Sequence, residues 1–145
     1  MKFIGSIKML GDKSIAHRDL IISSWFKGIH SISNFPENED ILTTLYGLSL
    51  HGLKYSIVNK VVNIDSANFS FNEESINCND SGTSARLFCG YLAGAKVKAQ
   101  IFGSKSLSIR PMNRVVEPLN SFGANIKSSN GLLPLHIAPS LNLYP

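Results

Sequence analysis

Two stretches of this 145-residue chain echo one another. Asp12 and Asp80 stand 68 positions apart, and so do Arg18 and Arg86. Gly52 and Gly123, each placed to stop a helix, follow at a slightly longer spacing of 71. A period this long, far above that of a solenoid repeat, constrains the fold to a duplicated supersecondary unit. Each copy must therefore contain several elements.

The elements can be laid out from the apolar pattern. Phe3 to Met9 reads as a strand closed by Gly11. Ser14 to Lys27 reads as a helix, with Ile15, Leu20, Ile21, Ile22, Trp25 and Phe26 on one broad buried face and Gly28 as its stop. Ile29 to Phe35 follows as a strand. A helix then starts within Pro36 to Asp40, with Asp40 as its cap, and ends at Gly52. Strands at Leu53 to Val58 and Val61 to Ile64 complete the first copy. The second copy opens after a polar connector, Ala67 to Glu74. A helix begins at Asn79 to Arg86, with Thr83 as a candidate cap, and runs to about Ala93. Val97 to Phe102 is a strand, Met112 to Phe122 a helix, and Ala124 to Lys127 and Leu133 to Ile137 are strands. The result is an α/β (α+β) fold of tandem βαβαββ units, residues 1–66 and 67–145.

In each copy a cationic, hydroxyl-bearing loop falls at the first strand-to-helix turn, where α/β folds hold ligands. The first loop is Gly11-Asp12-Lys13-Ser14-Ile15-Ala16-His17-Arg18 and the second Asp80-Ser81-Gly82-Thr83-Ser84-Ala85-Arg86. Helix starts expose unpaired N–H groups and the positive end of the dipole, so they suit anions. Lys13 adds a mobile point charge and Arg18, on the same helix side as Ser14, a planar fork. Gly82 leaves backbone open to close approach. A third loop, Gly103 to Pro111, places Arg110 ahead of another helix. Together the three describe a surface for a small molecule with at least two anionic groups.

Composition removes several alternatives. Hydrophobic residues make up 43% and charged residues 17%, a globular profile. A net charge of +4 without any Lys/Arg-rich run argues against nucleic acid as a partner. No apolar stretch reaches membrane-spanning length, and Met1 to Ser6 does not begin a secretory leader. Cys78 and Cys89 form neither a CxxC pair nor part of a metal cluster. They read as reduced thiols of a cytoplasmic protein, with no metal or organic cofactor expected.

The three ordered motifs, Gly11 to Arg18, Ser81 to Arg86 and Ser106 to Met112, resemble enolpyruvylshikimate-phosphate synthase of the glyphosate-insensitive bacterial type. The resemblance runs from about Ile7 to Ile137. It implies the enolpyruvyl transferase fold, with two of its six βαβαββ units present. It also implies a transferase of the shikimate pathway to chorismate and the aromatic amino acids. Such an enzyme, 3-phosphoshikimate 1-carboxyvinyltransferase, moves the enolpyruvyl group of phosphoenolpyruvate to the 5-hydroxyl of 3-phosphoshikimate. By position, Lys13 resembles the catalytic lysine that touches both substrates, Ser14 and Arg18 the residues that hold the shikimate ring, Gly82 the glycine against which phosphoenolpyruvate packs, and Arg110 an arginine for its anionic groups. Arg86 is expected to brace its loop. With two units of six, the resemblance implies an amino-terminal segment, incomplete for catalysis, whose partner is the remainder of the synthase. A non-catalytic anion-binding relic is the alternative. The sister family acting on a nucleotide sugar has Lys-Asn where this chain has Lys13-Ser14, and a reactive loop cysteine that neither Cys78 nor Cys89 matches.

Overall fold

A computed structural model of the chain describes residues 9–143. The expected first strand, Phe3 to Met9, lies outside the described residues except for Met9. Helix α1 (Lys13–Trp25) starts where the Asp12 carboxylate accepts the Ile15 backbone N–H at 2.8 Å. Strand β1 (Ile29–Ile32) leads to α2 (Glu39–Ser49). The cap of α2 is Asn38, whose side chain accepts the Ile41 N–H at 3.0 Å; Asp40, expected there, lies inside the first turn instead. Strands β2 (Lys54–Val58) and β3 (Val61–Asp65) form a hairpin turned by Asn59 and Lys60. Both turn residues have positive φ, the two-residue geometry that matches strand twist.

The second half repeats this order. Strand β4 (Glu74–Asn77) precedes α3 (Gly82–Gly94) and β5 (Ala99–Phe102). A short helix, α4 (Lys105–Ser108), is inserted before α5 (Asn113–Ser121), β6 (Asn125–Ser129) and β7 (Leu132–Ala138). Ser81, not Thr83, caps α3 through its hydroxyl on the Ser84 N–H. The sheet orders carry the duplication: β1-β3-β2 in the first half and β5-β7-β6 in the second, both antiparallel. Strand β4 adds in parallel to β5, with α3 as the crossover that a parallel pair needs.

The helices pack in sequence, α1 on α2, α2 on α3 and α3 on α5. A continuous buried core runs beneath them through both halves, with Leu20, Leu45 and Phe35 in one and Phe88, Leu92 and Ile101 in the other. The broad apolar face expected for α1 is only half used. Leu20 is fully buried, while Ile15, Ile22, Trp25 and Phe26 are each more than half exposed. Ala16, His17 and Ser24 take the inward positions instead: among the described residues α1 packs mainly on α2 and touches α3 through Ser24 and Trp25 at Tyr91.

Candidate functional site

The first turns of α1, α2 and α3 come together. Lys13, at the start of α1, reaches Asp40 in the first turn of α2, Nζ to Oδ2 at 2.6 Å. This hydrogen bond and the lysine charge hold the Asp40 carboxyl below the usual carboxylate range. The Ser81 hydroxyl adds to the same effect. Behind the pair, the Ser84 hydroxyl donates to the Asp40 backbone carbonyl at 3.0 Å, tying α2 to the start of α3.

Gly82 is buried at that start, and two guanidinium groups flank it. A side chain added there would place its first carbon 2.8 Å from Arg86 Nη1 and 3.7 Å from Arg110 Nη1. Arg86 donates to the Gly82 carbonyl at 3.0 Å and to the Pro111 carbonyl at 3.4 Å, so it braces the loop as expected. Arg110 comes from the third loop and is exposed. Its loop is fastened through Asp80, whose carboxylate accepts the hydroxyls of Ser104 and Ser106. Those two donors, followed by the Arg110 charge, lower the Asp80 pKa.

The expected residues therefore divide into two groups. Lys13, Gly82 and Arg110 belong to a connected set that also takes in Asp40, Ser84 and Arg86. Ser14 and Arg18 lie along α1, both exposed, with Arg18 Nε donating to the Ser14 backbone carbonyl at 3.0 Å rather than to its hydroxyl. Arg18 thus keeps the rest of its fork facing solvent. Sequence reasoning missed Asp40 as the partner of Lys13 and Ser84 as a bridge. The spacing of 27 and 44 positions between those partners gives no local signal.

A cleft of about 500 Å³ adjoins the set, bordered by Asp40, Tyr46, Tyr55, Asn79, Asp80 and Ser81. With Asp40, Asp80 and Glu39 on its walls it repels anions. The side of the set that carries Lys13 and the guanidinium groups around Gly82 is the side an anion would approach. Among the described residues no group of three or more His, Cys, Asp or Glu is arranged to hold a metal ion. No described helix is long and apolar enough to cross a membrane.

A family model described as EPSP synthase (3-phosphoshikimate 1-carboxyvinyltransferase) matches residues 2–143. The chain belongs to the EPSP synthase family. It is 44% identical over 128 residues to the 3-phosphoshikimate 1-carboxyvinyltransferase of Clostridium tetani, covering 86% of this chain and 29% of that protein. With the enzyme of the same name from Oceanobacillus iheyensis it shares 40% identity over 144 residues, or 95% of this chain and 34% of the other. An EPSP synthase structure from Acinetobacter baumannii superposes with a TM-score of 0.84 at 31% identity, over 92% of this chain and 32% of that one. The chain thus has part of the enolpyruvyl transferase fold and spans about a third of the length of the relatives it matches.

Proposed function

We propose that this chain supplies one wall of a 3-phosphoshikimate 1-carboxyvinyltransferase site, with residues 1–66 and 67–145 as its two βαβαββ units. The observation that carries the reading is the run of contacts from Lys13 through Asp40 and Ser84 to the loop of Gly82, with Arg110 beside that glycine from a third loop. Lys13 is positioned to serve both 3-phosphoshikimate and phosphoenolpyruvate, Ser14 and the free fork of Arg18 to hold the shikimate substituents, and Gly82 and Arg110 to take phosphoenolpyruvate. The buried, unpaired Cys78 and Cys89 suit a cytoplasmic setting.

The chemistry explains why cations must cluster. Phosphoenolpyruvate is protonated at its methylene carbon to give an oxocarbenium-like electrophile. The 5-hydroxyl of 3-phosphoshikimate attacks it, and phosphate leaves by elimination. Two anions must be held side by side through this sequence, which fixed Lys and Arg charges allow without reorganisation. A proton carried by the lysine can assist one transfer.

The test combines this chain with the remaining two-thirds of a family member in a synthase-deficient strain, and measures phosphate release in the extract. Growth and release are expected with the wild-type chain. Lys13→Ala is expected to lower release by about 100-fold or more. Release unaffected by Lys13→Ala removes the assignment, and binding of both substrates without any release identifies an anion-binding module instead.

A further inference from the structure

A line of buried polar side chains runs behind the anion-facing loops. His17 lies one turn beyond Lys13 in α1, Thr44 one turn beyond Asp40 in α2, and Ser81 and Ser84 flank Gly82 at the start of α3. None of the four is more than 1% exposed. His17 Nδ1 is 2.8 Å from Thr44 Oγ1, and Thr44 Oγ1 is 2.8 Å from Ser84 Oγ. Ser84 Oγ is in turn 2.7 Å from Ser81 Oγ and 3.0 Å from the Asp40 carbonyl oxygen.

Proton counting gives this line a direction. A carbonyl oxygen only accepts, so the Ser84 proton goes to Asp40. A lone pair of Ser84 then accepts from Thr44, while the single Ser81 proton is shared between Ser84 Oγ and the Asp40 carboxylate. Thr44, having given its proton, accepts from His17, which therefore carries its own proton on Nδ1. Among the described residues His17 Nε2 is left as a buried acceptor without a partner. Each link depends on the next: a valine keeps the volume of Thr44 but leaves the buried His17 Nδ1–H without its acceptor. What the chain supplies is a fixed separation between three helix starts.

We propose that His17, Thr44 and Ser84 are positioning residues that set the Lys13–Asp40 pair at its working distance from the Gly82 loop, so that one anion meets both. This rests on the anion-site reading above. The line carries the geometry from one half of the duplication to the other: His17 and Thr44 belong to the first, Ser84 to the second.

The test is nuclear magnetic resonance on the 145-residue chain, with inorganic phosphate as the probe and Thr44→Val and Thr44→Ser as variants. The His17 imidazole is expected to show its proton on Nδ1. Phosphate is expected to shift the Lys13 and Gly82 amides together. Thr44→Val should bind it about tenfold more weakly, and Thr44→Ser, which keeps the hydroxyl, close to normally. Thr44→Val, which leaves the buried His17 Nδ1–H without an acceptor, should melt below the wild type, whereas a purely packing role would leave its melting temperature unchanged. Equal phosphate affinity in all three proteins, or a His17 proton on Nε2, overturns the proposal. If phosphate moves no amide even in the wild type, it is the anion-site reading that fails. The line is then judged without ligand: Thr44→Val must displace both the Lys13 and the Gly82 amide resonances, and displacement of one loop alone overturns it.

Discussion

Lys13 and Asp40 form a pair whose side chains remain 45% and 32% exposed, so their mutual attraction is screened and worth about 0.2–1 kcal/mol. A phosphate dianion offers Lys13 more charge than one carboxylate does, which makes the pair exchangeable rather than a lock. Asp40→Asn removes the competitor. Phosphate should then bind a few-fold more tightly, with little change in melting temperature, and the gain should shrink as salt is raised. Affinity that falls in Asp40→Asn at every ionic strength would show the carboxylate to be an aid and not a rival. The pH sign follows from the depressed Asp40 pKa. The pair's contribution is present above the normal carboxylate range and is lost only as pH falls through the lowered native value, so it is intact near neutrality. At Gly82, alanine meets the mobile end of Arg86 rather than backbone. Gly82→Ala should therefore fold with a cost of at most about 1 kcal/mol while losing most of its phosphate affinity. Lys13, Gly82 and Arg110 were legible because helix starts, glycine and cations each leave a local mark. Asp40 was not, because its role comes from a contact across 27 positions and the residues before it offer Asn38 as a better cap.

Among the elements, the four longer helices announced themselves, while the four-residue α4, read as loop, and one strand did not. Strand β4, Glu74 to Asn77, has one fully buried apolar residue, Ile76, and otherwise polar residues of low strand propensity. It exists because β5 offers a parallel edge and α3 carries the chain back to it. Such pairing lies beyond any local window, so the polar connector legible in the sequence ends at Glu74 and no strand is assigned after it. The opposite error occurred on α1, where an apolar stripe wide enough for full burial stays largely exposed: among the described residues it packs mainly on α2. The α2–α3 contact shows how tightly the two halves are fitted. Gly47 on α2 lies against the Phe88 ring on α3, and a methyl group there would overlap it. Both helices carry site residues, so this crossing also fixes the distance between Asp40 and Gly82. Gly47→Ala is expected to destabilise the chain by about 1–3 kcal/mol through overpacking, read from urea unfolding as a lower midpoint with unchanged slope. A midpoint within error of the wild type would mean that the helices can separate freely, and the rigid crossing would have to be abandoned.

For the molecule as a whole, two histidines decide how folding responds to mild acid. His17 lies under the site and His51 beyond the end of α2, where its Nδ1 accepts the Asn72 backbone N–H at 3.1 Å and its ring packs against Phe69 and Phe71. Both are fully buried, and burial lowers both pKa values below the ordinary 6.5. Asp40 partly opposes this at His17 while Lys13 reinforces it, and Glu74 partly opposes it at His51. Above 6.5 the imidazoles are neutral in the folded and unfolded chain alike, and stability is complete. As pH falls below 6.5 the unfolded chain takes up protons that the folded chain refuses, so stability drops until the lowered native values are reached. Two such groups give a limiting slope of about 2.7 kcal/mol per pH unit. The carboxylates with lowered pKa, Asp40 and Asp80, change charge only at much lower pH, so they leave the window between 6.5 and 5 to the histidines. Urea unfolding at pH 7.5, 6.0 and 5.0 should show this loss in the wild type. His51→Gln should remove about half of the slope, since its amide oxygen can still accept from Asn72 without binding a proton. A wild-type curve flat between 7.5 and 5.0, or one that His51→Gln leaves unchanged, would mean that acid reaches these rings without unfolding, and the core that spans both halves would be more open than its packing indicates.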